Sequence, residues 1–295
     1  MIYRVQHTTT YRYTDTVSIC HNELRLRPRD VAQQTCLSHA LQVQPTPAGW
    51  RQDTDFFGNQ VIFLTVQEPH RLLTVTASST VAIQPVAVPA FAATPAWETV
   101  RDHLPHDRSA VGLQAYQYVF ASPYITVWPA VRRFAAASFH RGRALLEAMW
   151  DLTRRIHANF TYDATATSVS TPLRDVLHTR HGVCQDFAHL EIACLRALGL
   201  AARYVSGYLV TRPHAGQARL IGADASHAWL SVYCPGYGWV DVDPTNNMLP
   251  TDRHITVAYG RDYGDVSPIK GVFLGGGEHT MDVAVDVAAT DTLPP

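Results

Sequence analysis

At 295 residues the chain has room for one large or two ordinary domains, each able to bury a core of its own. Its apolar share of 46% against 17% charged is ordinary for a globular protein, and no run of about 18 apolar residues free of charge and proline offers a membrane span. A net charge of −1 gives no positive field for a phosphate backbone, so neither a membrane nor a nucleic acid is the expected partner.

Five cysteines at irregular spacings (Cys20, Cys36, Cys184, Cys194 and Cys234) suit reduced thiols better than a disulfide framework, and no CxxC pair suggests structural zinc. The start, Met1-Ile2-Tyr3-Arg4-Val5-Gln6-His7, reads as a strand rather than an apolar leader, which gives a cytoplasmic expectation. Lys270 is the only lysine, so an enzyme that crosslinked amines would find few acceptors on itself.

Residues 1–86 alternate as strands do, at Tyr3, Val5 and His7, at Leu37, His39, Leu41 and Val43, at Val61 and Phe63, and at Leu73, Val75 and Ala77. This predicts an N-terminal antiparallel β-sandwich. Arg25, Arg27 and Arg29 read as the wet face of a strand, with a ligand patch as the alternative. Pro85, Pro89, Pro95 and Pro105 mark a linker, and residues 87–140 read as a connection with short helical pieces. Residues 141–295 form the third region.

Within it, Leu145, Met149, Leu152 and Ile156 predict an amphipathic helix over 143–158. Thr171 as N-cap and Pro172 at the first helical position start another, ending before Gly182. Then His181-Gly182-Val183-Cys184-Gln185-Asp186 runs into an apolar face at Phe187, Leu190, Cys194 and Leu198, closed by Gly199. Cys184 therefore falls in the first turn of a helix, where the unpaired N–H groups and the dipole favour a thiolate. A lone cysteine is more often a small buried hydrophobe, so a partner is needed.

The partner lies downstream. Asp224-Ala225-Ser226-His227-Ala228-Trp229-Leu230-Ser231-Val232-Tyr233 and Gly238-Trp239-Val240-Asp241-Val242-Asp243 read as two strands joined at Pro235-Gly236-Tyr237. That hairpin sets His227 at the start of one strand and Asp243 at the end of the next, where imidazole and carboxylate can meet. Met281, Val283, Val285 and Val287 make a last strand that fits either sheet.

Gly182-Val183-Cys184-Gln185-Asp186, Ser226-His227-Ala228-Trp229 and Asp243-Pro244-Thr245 together resemble the transglutaminase-like superfamily of papain-like thiol enzymes. Asn22-Glu23-Leu24-Arg25-Leu26-Arg27-Pro28 and Asp55-Phe56-Phe57-Gly58-Asn59 resemble the β domain that precedes bacterial members, and Gly260-Arg261-Asp262-Tyr263-Gly264-Asp265-Val266 continues the likeness. The resemblance implies an α+β fold with a transglutaminase-like catalytic core after the sandwich, and a Cys184, His227, Asp243 triad. Where relatives carry an acid two residues after the tryptophan, this chain has Ser231.

The implied chemistry is thiol acyl transfer on an amide of a peptide or protein, without cofactor or metal. Hydrolysis is the primary reading, with transamidation and a non-catalytic binding scaffold as alternatives, and a partner protein is a further possibility for specificity. Tyr162 is a second oxyanion donor candidate beside the backbone of Cys184. Gln185 and Trp229 are candidates for the cleft, and Trp229 and Trp239 read equally as core. His178, His181, Cys184 and His189 would make a metal cluster only at the cost of the nucleophile. Asp186 and His189 read as capping and surface residues, with tuning of the nearby nucleophile as the alternative, and Gly275-Gly276-Gly277 reads as a turn.

Overall fold

The computed structural model describes residues 1–85, 87–88, 90–210, 226–250 and 252–290; Pro89, Asp224 and Ala225 fall outside them. In chain order the elements begin with β1 (Ile2–Leu24), β2 (Gln34–Gln44), β3 (Gly49–Thr54), β4 (Gln60–Val66) and β5 (His70–Ile83). The helices α1 (Trp97–His103), α2 (Ala110–Tyr116), α3 (Pro129–Ala136) and α4 (Leu145–Asn159) follow. Next come β6 (Thr161–Tyr162), α5 (Leu173–Thr179), β7 (His181–Gly182) and α6 (Cys184–Ala197). The chain closes with β8 (Ala202–Leu209), β9 (Ser226–Cys234), β10 (Gly238–Val242), β11 (His254–Gly260), α7 (Tyr263–Val266), β12 (Ile269–Gly275) and β13 (His279–Ala289). Among the described residues no helix is long and apolar enough to cross a membrane.

The long strand β1 is the spine of the N-terminal sheet. On one side it pairs with β5 and then with β4; on the other it pairs with β13 and then with β12, all antiparallel. The pairing with β5 breaks register between Arg12 and Val17, and there β1 passes from one half of the sheet to the other. With β2 on β5 and β3 on β4, the halves read β2-β5-β1-β13 and β3-β4-β1-β12. Val17, Cys20 and Leu24 of β1, Ile62 and Leu64 of β4, and Leu73 and Val75 of β5 form one buried cluster between them. The expected sandwich is thus one continuous sheet folded on itself. The strand of alternating Met281 to Val287 belongs to it.

The arginines after β1 differ from their expected place on a wet strand face. The strand ends at Leu24, and Arg25 turns inward to bond Asp55 at 3.0 Å and Glu23 at 2.7 Å. Arg29 donates to Asn59 and to the Phe57 carbonyl, and its guanidinium stacks 4.6 Å from the Tyr259 ring centroid. Only Arg27 stays on the surface side, paired with Asp30 at 3.4 Å. A guanidinium with carboxylate and amide partners within reach is buried at far less cost than a bare one, which alternation alone does not reveal.

The second sheet runs β10-β9-β8-β11, all antiparallel. Ala228, Leu230, Val232 and Cys234 of β9 share a buried cluster with Phe187, Leu190 and Cys194 of α6, so the cysteine helix lies on that face. Leu145, Met149, Leu152 and Ile156 of α4 join the cluster, and so do Val5, Val81 and Val287 of the first sheet. The core is therefore continuous across both β layers. The second predicted helix begins one residue later than expected. Pro172 is extended and serves as the N-cap, and the helix closes at Arg180, a non-glycine residue held left-handed at φ 62°.

Candidate active site

Cys184 is placed by a short parallel bridge. β6 and β7 pair Tyr162 with Gly182, and α6 starts two residues on. A Cβ at Gly182 would lie 2.8 Å from the Asp186 carboxylate and 2.9 Å from its Cβ, so glycine permits the turn to close. The Asp186 Oδ2 accepts the Val183 N–H at 2.9 Å and the Thr167 hydroxyl at 2.7 Å, capping the first turn from inside the helix. Burial raises the Asp186 carboxyl, and those two bonds oppose the rise. Cys184 is part-exposed, whereas Cys20, Cys36, Cys194 and Cys234 are all buried. Burial pushes the Cys234 thiol up to about 11 and raises Cys194 further. Those thiols are inert fillers.

His227 and Asp243 come together as the hairpin dictates. The His227 Nε2 lies 2.7 Å from Oδ2 of Asp243, whose side chain is fully buried. With Nε2 so engaged, Nδ1 is the ring nitrogen left for a further partner. Burial by itself would lower His227, but the bonds and charges of Asp243 and Cys184 outweigh it and push it up to about 10. Burial would likewise raise Asp243. Donors from His227, His254 and Asn246 overcome that and hold its carboxyl well below the usual range. The other carboxylate oxygen accepts the N–H groups of Thr245 at 2.9 Å and Asn246 at 3.1 Å.

The remaining expected residues divide. Tyr162 is exposed on β6, and its phenol is raised first by burial and then by the neighbouring Cys184 charge. Gln185 is part-exposed in the first turn, 3.4 Å from the Val169 carbonyl. Trp229, weighed as a cleft wall, is instead 0% exposed. Its N–H donates to Asp241 at 3.0 Å and its ring centroid stands 5.9 Å from that of His227. A side chain without surface supports the site from behind. Trp239 is half-buried against Tyr118, Tyr233 and the Arg203 guanidinium.

His189 is not the surface residue expected. It is buried, burial and then Arg196 lower it to about 3, and its Nε2 accepts the Tyr263 N–H at 3.1 Å, so it anchors α7 as a neutral ring. Asp241 answers the missing acid at Ser231: it faces Ser231 across β10 and β9 and accepts that hydroxyl along with the Trp229 indole.

Two residues of the site were not anticipated. Asn246 donates to Oδ2 of Asp243 at 2.7 Å, and His254 Nε2 lies 3.1 Å from the same oxygen. Asn246 was within reach of local reasoning, because Asp-Pro-Thr-Asn is an Asx-turn sequence. His254 stands on another strand and carries no local signal. Among the described residues His227, Asp243 and His254 are the cluster whose ligand atoms could meet a metal, all within 4.8 Å of one another. Hydrogen bonds already account for their facing atoms.

Comparison with known proteins matches residues 3–82 to the bacterial transglutaminase-like N-terminal region and residues 133–244 to the transglutaminase-like superfamily. An uncharacterized protein of Mycobacterium tuberculosis is 43% identical over 97% of this chain and 92% of its own length. One of Mycobacterium leprae is 34% identical over 96% and 97%. A protein-glutamine gamma-glutamyltransferase of Pseudomonas aeruginosa is 33% identical over 37% of this chain and 16% of its own. In fold, the chain resembles a Cytophaga hutchinsonii protein proposed to be a cysteine protease, with TM-score 0.77 at 22% identity over 99% of this chain and 91% of that one.

Proposed function

The chain belongs to the transglutaminase-like superfamily, and from that premise and the site just described we propose that it transfers acyl groups from amides through Cys184. The observation that carries the reading is the buried Asp243 carboxylate 2.7 Å from His227, a histidine that Asp243 and the part-exposed Cys184 at a helix start together raise in proton affinity. The Cys184 sulfur attacks the carbonyl carbon of the amide. As the tetrahedral intermediate collapses, the C–N bond breaks, His227 Nδ1 gives its proton to the leaving amine, and a thioester remains on Cys184. The Cys184 backbone N–H and the Tyr162 hydroxyl are the donors proposed for the oxyanion.

Water attacking the thioester gives hydrolysis, and the partial exposure of Cys184 favours that acceptor. A primary amine attacking it gives transamidation, the reading favoured by the name of the Pseudomonas aeruginosa relative. The substrate proposed is a peptide or protein. The test is mass spectrometry of a glutamine-containing peptide mixture incubated with the protein, with and without a small primary amine. Cleavage or a deamidated glutamine supports hydrolysis, and an amine adduct supports transamidation. If neither appears, while Cys184→Ala binds a peptide as tightly as the unaltered chain, a scaffold is the better reading.

A further inference from the structure

We propose that His254 is a positioning residue of the acyl-transfer site and that the N-terminal sheet holds it in place through β11, an inference that rests on the Cys184, His227, Asp243 reading above. The Asp243 Oδ2 receives three side-chain donors: His227 and Asn246 at 2.7 Å, and His254 at 3.1 Å. A carboxylate with one donor can swing about its side-chain bonds. Three on Oδ2, added to the Thr245 and Asn246 N–H groups on Oδ1, leave it one orientation, and that orientation aims His227. The His254 ring packs edge-on to Trp229, 5.1 Å between centroids at 80°, and the same indole backs His227. The two histidines thus share a carboxylate on one side and an aromatic ring on the other.

His254 acts as a neutral donor. Its side chain is 1% exposed and burial lowers its proton affinity, although Asp243 opposes that. Its Nδ1 is buried without a partner among the described residues, so the ring's one proton belongs on Nε2, facing Asp243. A charged ring would put a second cation 5.9 Å from His227, between centroids, and work against the imidazolium.

His254 begins β11, the edge strand of the second sheet, and among the described residues no further strand covers that edge. Side-chain amides of the N-terminal domain take its place. Gln34 receives the Thr256 N–H at 2.8 Å and donates to the Thr256 carbonyl at 2.7 Å. Asn59 does the same for Tyr259, both at 2.8 Å, and the Arg29 N–H adds a bond to the Thr256 carbonyl at 3.1 Å. Thr256 is two residues beyond His254. The chain of contact therefore runs from Gln34 through Thr256 and His254 to Asp243.

The test is the rate of iodoacetamide alkylation of Cys184 at pH 7, read by mass spectrometry on the full chain, with folding of each variant checked by circular dichroism. His254→Phe, which keeps the ring packing but lacks the donor, should slow alkylation about tenfold, the effect of one lost hydrogen bond to a charged group. His254→Gln, whose amide nitrogen can reach the same oxygen, should restore a rate close to that of the unaltered chain. Gln34→Leu should also slow the reaction and add nothing further in the His254→Phe background. If His254→Phe does not fold, His254→Asn, too short to reach Oδ2, replaces it in every comparison.

An unaltered rate in His254→Phe, with His227→Ala slow, would overturn the role of His254 and leave the acyl-transfer reading intact. An unaltered rate in His227→Ala would instead overturn that reading. Equal slowing in His254→Phe and His254→Gln would make His254 merely structural, and additivity with Gln34→Leu would break the link to the N-terminal sheet.

Discussion

The His227 ring and the Asp243 carboxylate meet at 2.7 Å across a hairpin, sixteen residues apart in sequence, with the carboxylate wholly out of solvent. Replacing Asp243 by Asn presents an amide where an anion accepted three side-chain donors on one oxygen and two backbone N–H groups on the other. Transfer from an N-blocked Gln-Gly dipeptide to hydroxylamine should then fall by about 10⁴-fold. The hydroxamate formed is measured by colour, and a fall below tenfold would contradict the orienting role.

The same pair fixes the pH dependence of stability. His227 is raised to about 10, so its contribution is fully present below the unfolded value of about 6.5 and is lost as pH rises through about 10. Asp243 is depressed, so its contribution is present above an unfolded value of about 3.9 and is lost as pH falls through its folded one. In thermal unfolding, the Tm advantage of the unaltered chain over His227→Gln should shrink between pH 7 and about 10.5. A constant difference would mean that His227 is not held as an imidazolium.

Glu191 of α6 is wholly buried, with one oxygen accepting the Thr153 hydroxyl at 2.7 Å and the other without a partner among the described residues. Burial pushes it up to about 8, against the Thr153 bond and with a further rise from Asp243. The fold therefore prefers the protonated acid. Its contribution is present below about 4.3 and lost as pH rises through about 8. Glu191→Gln, neutral at every pH and able to keep the Thr153 bond, should raise Tm at pH 8.5 by about 2–4 °C and leave it nearly unchanged at pH 4. Calorimetry at the two pH values decides it.

Gly207 faces His227 across β8 and β9, and a Cβ there would meet the Ile255 carbonyl at 2.1 Å and the Trp229 ring at 2.5 Å. Gly207→Ala should cost about 1–3 kcal/mol of stability through this overpacking. Because the displaced indole backs both histidines, hydroxamate formation should fall more than unfolding at the assay temperature accounts for. Tm and rate measured on one preparation separate the two effects.

The parts of this molecule written locally were legible in the sequence. Gly182 ahead of an apolar helix face gave Cys184 its place, and alternation about Pro235-Gly236-Tyr237 gave the hairpin that joins His227 to Asp243. Contacts set by distant strands were not legible. Nothing near Met281 or Val283 says that β13 returns to β1, because the same alternation suits either sheet. Arg25 and Arg29 looked like surface residues until Asp55, Asn59 and Tyr259 supplied partners. Trp229 was ambiguous for the same reason. An aromatic in a strand fits a cleft or a core, and only the packing of His254 and Asp241 around it decides.

The central claim is that Cys184 takes an acyl group from an amide. It is tested most directly by incubating the chain with a glutamine-containing peptide, quenching in acid and weighing the Cys184 tryptic fragment. The expected result is a thioester adduct on Cys184 that disappears on treatment with hydroxylamine and never forms in His227→Ala. An unmodified Cys184 with every peptide tried, or an adduct that forms equally well without His227, would contradict it.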